Sequence, residues 1–297
     1  MAKIEIKSNK TICFLGDSIT ADGRWIREIY QNLKTQMVRA YNCGIPGDNA
    51  TNALERIYND CLIYSPDYVV VMFGMNDVGR DLYFEDNEEN EKNRALALEK
   101  YKNSMEEIIR ILKKRRVEVI LISPTPYDEV SNVEEKNYKC DLGLKKCRKI
   151  NINLAEKYSC HFIDFHSLVS NFIKDNIILP DRVHPNPKGQ HLMAQFFMKE
   201  IGLIDEINLN VACVIDEENQ KRFEFEQKLR TLEFVEWCAI IEERKRQNLT
   251  LDEKIQVAKS KAEVFKDNIY IINAINYYVE NIHLKEVYLK EVIKYTV

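Results

Sequence analysis

The sequence predicts an α/β protein: a parallel sheet of about five strands with helices on both faces, followed by a helical C-terminal extension. Three observations predict it. Short apolar, β-branched runs alternate with helix-like stretches from residue 11 to about 201, the order in which strand–helix–strand units build a parallel sheet. Past about Gly202 the character changes, and from Glu217 to Asn248 the chain is dense in Glu, Lys, Arg and Gln, with Leu, Phe, Trp and Ile at helical spacing. Polar, glycine-bearing breaks follow the apolar runs, and in parallel sheets the ends of the strands are where ligands bind. The division read from this pattern is a domain of residues 1–204 and an extension of residues 205–297.

The elements follow in order. "TICFLG" at 11–16 is short, apolar and rich in β-formers. A helix-like segment from about Arg24 to Thr35 leads to "MVRAYN" as a second strand, and a helix over roughly 50–63 leads to the third, "DYVVVMFG". That continuous β-branched run is what a strand buried on both faces requires. "VEVILIS" reads the same way after a helix at 93–115, and "CHFIDF" is a weaker fifth strand after a helix at 141–158. A last helix of the domain covers 187–201. The acidic run "FEDNEENEK" at 84–92 reads as a solvated loop or helix start in preference to a lid. In the extension, 217–248 reads as helical. Another helix opens at Thr250, where Glu253 three residues on completes a capping box. The Ile-, Asn- and Tyr-rich stretch 267–282 is the third helical piece, in a small bundle or an arm.

Composition narrows the function. The net charge of −4 is spread without a basic stripe, which argues against nucleic acid as a partner. The N-terminal "MAKIEIKSNK" lacks the apolar core of a secretory signal, and no apolar run is long enough to span a bilayer. The expectation is a cytoplasmic protein. Its eight cysteines, Cys13, Cys43, Cys61, Cys140, Cys147, Cys160, Cys213 and Cys238, form no CxxC pair. They read as reduced, buried thiols without the spacing of a metal site.

Four segments carry chemistry: Gly16-Asp17-Ser18; "NCGIPGDNA" with Gly44 and Gly47; Gly74-Met75-Asn76-Asp77; and "LPDRVHPNPKG" with Asp181 and His184. Singly, each has a plain structural explanation as a turn, a helix cap or a surface loop. Together they supply one reaction. A serine hydroxyl needs a base to become a nucleophile, and a neutral imidazole is such a base near neutral pH. Asp181, three residues before His184, can fold onto the ring within one turn. The oxyanion formed on attack needs fixed donors, which the Ser18 N–H, the Gly47 N–H and the Asn76 amide can provide.

These blocks resemble the SGNH hydrolases, the GDSL family of esterases and lipases, from about residue 10 to 201. "FLGDSIT" matches the nucleophile block, "GIPGDNA" the glycine block, "GMND" the GxND block and "DRVH" the DxxH block. The resemblance implies Ser18, Asp181 and His184 as catalytic residues and Ser18, Gly47 and Asn76 as the oxyanion hole. It also implies a flavodoxin-like three-layer α/β/α fold, no metal and no organic cofactor, and a shallow site for esters or thioesters. The expected activity is hydrolysis of a carboxylic ester, with short acyl groups such as acetyl on a carbohydrate or small molecule preferred. Thioesterase or lysophospholipase activity, acyl transfer and a non-catalytic binding module are the alternatives.

Other residues receive plainer readings. Asp17 orders the nucleophile loop, Tyr127 belongs to a turn, and Arg182 binds an anionic group or only a carbonyl. His161 and His166 are structural, and His191 is a core or interface histidine. The charged helices of the extension could associate into a homo-oligomer, cover the site or bind a partner.

Overall fold

The computed structural model describes residues 4–239 and 249–296. Residues 240–248, expected to continue a helix, lie outside the described residues, as does the Cys238 side chain. The chain divides into two compact units, Met1–Ile215 and Asp216–Val297.

The first unit holds five strands: β1 (Thr11–Gly16), β2 (Arg39–Gly44), β3 (Tyr68–Met72), β4 (Glu118–Ile122) and β5 (His161–Ile163). All neighbours are parallel, in the order β2-β1-β3-β4-β5. The helices are α1 (Ser18–Ala21), α2 (Arg24–Leu33), α3 (Ala50–Asp60), α4 (Glu88–Lys114), α5 (Asp141–Tyr158), α6 (Phe165–Ser170) and α7 (Pro187–Glu200). Side-chain alternation along β1 assigns the layers. Phe14 meets Trp25 of α2 and Phe197 of α7, with Phe165 of α6 against Trp25. Cys13, on the opposite face, meets the end of α3, and α3, α4 and α5 pack in series. Tyr101 of α4 and Asn151 of α5 are joined by a 2.8 Å hydrogen bond, and Asn151 reaches the Ile122 carbonyl of β4.

The strand order creates the site. The chain leaves β1 for β2 on one side, then crosses to β3 on the other, so the strand order reverses between β1 and β3. At such a switch point the loops after the two strands splay apart and leave a crevice. Gly16 stands level with Gly44 of β2 and Met72 of β3, so the three following loops start at one height.

One helix begins earlier than the sequence predicts. Helix α4 starts at Glu88 because Asn87 caps it, its side chain accepting the Asn90 N–H. The second half of the acidic run thereby becomes the first helical turn, where Glu88, Glu89 and Glu91 favour the helix dipole. Residues 205–215 belong with the first unit: the Gln195 side chain of α7 makes reciprocal hydrogen bonds with the Asn208 backbone.

The second unit contains α8 (Glu217–Ala239), α9 (Leu251–Ala262), α10 (Ile269–Asn281) and α11 (Lys285–Lys294). Leu229, Leu232 and Val235 of α8 share a core with Ala258, Ile275, Tyr278, Ile282 and Tyr288. Glu236 receives Lys254 and Lys285 at 3.4 and 2.7 Å. Burial pushes its pKa up, but the two ammonium groups hold it below the ordinary range. Thr250 forms the expected capping box with Glu253. Among the described residues no helix is long and apolar enough to cross a membrane.

Candidate active site

Ser18 opens α1 two residues after β1 ends. Asp17 caps that helix, its carboxylate accepting the Ile19 N–H at 3.0 Å. The turn is tight because Gly16 lacks a side chain: a Cβ there would lie 2.1 Å from the Thr20 hydroxyl and 2.8 Å from the Met72 carbonyl. The Ser18 side chain is therefore displayed at the strand end, half-buried.

The segment with Asp181 and His184 folds back on itself. Leu179 N–H donates to the His184 carbonyl at 2.7 Å, and Ile178 pairs with Pro185 across the turn. Asn186 then caps α7, with Pro187 as its first residue. This turn brings His184 to the serine: Nε2 lies 2.8 Å from Ser18 Oγ. Its Nδ1 lies 2.6 Å from Asp181 Oδ2. Asp181 Oδ1 accepts the Val183 and His184 N–H groups, each at 3.0 Å.

The acidities follow from these contacts. Partial burial pushes Asp181 up, but the His184 ring and the two backbone donors outweigh it and hold the group down at about 2. Burial pushes His184 down, but the bond to and charge of Asp181 raise it overall, with help from Asp17. Burial drives Asp17 itself up to about 7, with the Asp48 charge adding to the push. Asp77 is likewise raised to about 7, by burial first and then by the charges of Asp17 and Asp48. Its Oδ1 accepts the Ala50 N–H at the start of α3, at 2.9 Å.

The glycine and GxND loops meet on the same side. Asn76 Nδ2 donates to the Asp48 carbonyl at 2.8 Å, which uses one of its two amide hydrogens. Gly47 has φ of +75°, a conformation that favours glycine, and a Cβ there would meet nothing within 4 Å. Among the described residues no hydrogen bond occupies the Ser18 or Gly47 backbone N–H. The structure thus brings Ser18, Asp181 and His184 into one hydrogen-bonded chain and sets Gly47 and Asn76 on loops at the same sheet end.

A buried ion pair supports this assembly, one that no motif in the sequence marks. Arg56 of α3 lies 2.6 Å from Asp48, both side chains almost wholly buried. The same guanidinium donates to the Cys43 carbonyl at 2.8 Å and the Gly16 carbonyl at 3.1 Å. One side chain therefore ties the glycine loop to the ends of β1 and β2. Nothing local in "ALERIYND" marks its arginine as buried; only the approach of α3 to the strand ends makes it a clamp.

The secondary candidates find partners. Arg182 binds carbonyls only, those of Asp128, Ser131, Val133 and Glu135, at 2.9 to 3.1 Å. It thereby fastens the 128–135 loop to the segment bearing Asp181 and His184. Tyr127 is buried, its hydroxyl donating to the Lys136 carbonyl at 2.8 Å. His166 meets Asp141 at 2.9 Å, and His191 joins Glu28 of α2 at 2.6 Å. His161 is partly exposed at the start of β5. Among the described residues seven cysteines form no disulfide, six of them buried. The fold gathers three that sequence spacing keeps apart: the Cys13, Cys43 and Cys61 sulfurs lie within 4.8 Å of one another in the core. They are the metal-competent donor group found among the described residues.

Comparison with known proteins follows the same lines. Residues 14–192 match the model of the GDSL-like lipase/acylhydrolase family. An acetylxylan esterase from Geobacillus stearothermophilus is 26% identical over 223 residues, covering 67% of this chain and 97% of that protein. Among solved structures, a gut microbial diltiazem-metabolizing enzyme is similar over 99% of this chain and 95% of its own, with a TM-score of 0.80 at 18% identity. A catalytic mutant of the Geobacillus esterase, with alanine for a serine, is similar over 69% of this chain and 100% of its own, with a TM-score of 0.57 at 23% identity. Further solved catalytic mutants of that esterase carry alanine for an aspartate and for a histidine. At these identities the structural likeness is one of fold.

Proposed function

The chain belongs to the GDSL-like lipase/acylhydrolase family and is a carboxylic ester hydrolase, and from that premise we propose that it works through an acyl-enzyme on Ser18. The observation that carries this reading is the continuous chain from Asp181 through His184 to Ser18, which ends in the 2.8 Å contact to the hydroxyl. The serine, aspartate and histidine replaced in the catalytic mutants of the Geobacillus esterase support it by residue type.

Ser18 Oγ attacks the acyl carbonyl carbon while His184 Nε2 takes its proton. Asp181 keeps the other ring proton on Nδ1, so that Nε2 faces the serine as an acceptor, and stabilises the imidazolium that forms. The carbonyl oxygen becomes an oxyanion against the Ser18 N–H, the Gly47 N–H and the second Asn76 amide hydrogen. His184 then protonates the departing alcohol. Water repeats the sequence on the acyl-enzyme, with His184 again taking a proton, and releases the acid.

The substrates are esters of short acids, acetyl on a carbohydrate or small molecule first among them. The acetylxylan esterase likeness supports the acetyl group. Ser18→Ala is expected to abolish both hydrolysis of p-nitrophenyl acetate and labelling by a fluorophosphonate. Undiminished turnover in that variant would remove the assignment. A series of nitrophenyl esters from acetyl to octanoyl tests the acyl preference, which fails if the longest chain is turned over fastest.

A further inference from the structure

We propose that Arg80 is a substrate-binding residue that recognises a carboxylate carried by the ester, close to the carbonyl attacked by Ser18. The inference rests on the serine-esterase reading and adds a substrate class to it.

Placement comes first. Arg80 follows Asn76 by four residues in the loop that leaves β3. That loop is closed by hydrogen bonds from Val78 N–H to the Gly74 carbonyl (3.1 Å) and from Gly79 N–H to the Asn76 carbonyl (3.4 Å). Arg80 then opens a short 3₁₀ turn, Arg80–Tyr83, with Leu82 N–H donating to the Gly79 carbonyl at 2.9 Å. The turn is anchored at its far end. Tyr83 sits against Gly143 of α5, where a Cβ would come within 2.2 Å of the phenol oxygen, and Arg94 lies over its ring at 5.0 Å. The backbone that bears the guanidinium is therefore fixed beside the Asn76 loop.

Its partners come second. Arg24, Arg56, Arg94 and Arg148 each hold a carboxylate, and Arg182 is filled by carbonyls. Arg80 has neither: among the described residues it makes no ion pair and no hydrogen bond, and it is partly open to solvent.

The direction of its field comes third. The charge of Arg80 acts on His184, where it opposes Asp181 and Asp17 and disfavours the protonated ring. It also reaches Tyr127 and Cys140. A bare cation so placed works against the imidazolium that forms as Ser18 attacks. A carboxylate delivered by the substrate would neutralise it and add a charge-assisted pair. A guanidinium suits this task because its fork matches the two oxygens of a carboxylate.

The test compares esters with and without a carboxylate, in two arms because the carboxylate can sit on either side of the ester. The alcohol-side arm sets 3-acetoxybenzoate against 3-acetoxybenzamide. The acyl-side arm sets mono-4-nitrophenyl succinate against 4-nitrophenyl butyrate. The readout is the ratio of kcat/KM for the charged to the neutral member, measured on the full chain. In at least one arm the wild-type ratio is expected to fall on the order of tenfold in Arg80→Gln and to be largely kept in Arg80→Lys. The wild-type ratio in that arm should also drop as salt is raised, since a partly exposed pair is screened. A ratio unmoved by Arg80→Gln in both arms overturns the proposal, as does an equal loss on both members of each pair, which would make Arg80 an oxyanion stabiliser. Should Arg80→Gln not fold, the wild-type salt dependence decides: a ratio flat with salt in both arms overturns the proposal. Hydrolysis of the neutral esters that persists in Ser18→Ala would instead defeat the underlying serine mechanism, and an absence of hydrolysis for all four esters would defeat both.

Discussion

Asp17 is a carboxyl group kept away from water beside the serine, and its protonation ties stability to pH. An unfolded aspartate titrates near 3.9, whereas burial places Asp17 at about 7 in the fold. Between those values the folded chain holds a proton that the unfolded chain has lost, so this group's contribution to stability falls as pH rises through that window. Asp17→Asn keeps an oxygen for the Ile19 N–H but cannot ionise. Its melting temperature relative to wild type is expected to be higher at pH 8 than at pH 4, measured by thermal denaturation at the two pH values. An offset independent of pH would show that Asp17 does not titrate there. Asp181 has the opposite sign: with its folded pKa at about 2, its contribution is complete above about 4 and is lost as pH falls toward 2. It also raises His184. Asp181→Asn is therefore expected to move the acidic limb of the kcat/KM profile to lower pH, and to reduce kcat by roughly 10²–10⁴. A pH–rate profile with p-nitrophenyl acetate checks both.

Helix α3 acts as an element through Arg56. Its guanidinium holds Asp48 of the glycine loop and the carbonyls that close β1 and β2. Removing one partner of a buried pair leaves the other charge without compensation. Arg56→Ala is expected to cost roughly 3–5 kcal/mol, read as a lower urea midpoint, and to lower kcat/KM because the loop bearing Gly47 loses its anchor. A change below 1 kcal/mol would show that α3 only packs. Elements also differ in how far sequence reveals them. The "DYVVVMF" run announces β3, and Thr250 with Glu253 announces the start of α9, because β-branching and capping are local properties. Helix α1 is four residues long and leaves no periodicity to read. The start of α4 hides in the acidic run for another reason: charged residues suit a solvated loop and a first helical turn equally well.

On the scale of the molecule, Ser18, Gly47, Asn76, Arg80, Asp181 and His184 all lie within Met1–Ile215, together with Arg56 and Arg182, which brace their loops. A chain ending at residue 215 is expected to keep hydrolysing p-nitrophenyl acetate. A cut after 204 would remove Asn208, whose backbone pairs with Gln195 of α7, and is expected to lower the melting temperature of what remains. Loss of activity in the 215-residue chain would assign the helical unit a part in catalysis. The amino-acid order by itself determined the alternation of strands and helices, the four blocks and the spacing of Asp181 and His184, since these depend on residues near one another in the chain. Only the tertiary structure decided that a histidine 166 positions away meets Ser18, that Arg56 is a clamp while Arg80 has no ion-pair or hydrogen-bond partner among the described residues, and that Cys13, Cys43 and Cys61 gather. Those outcomes depend on which side chains the crossovers between strands carry to the same place, and a side chain's partner, burial and charge state are properties of that place.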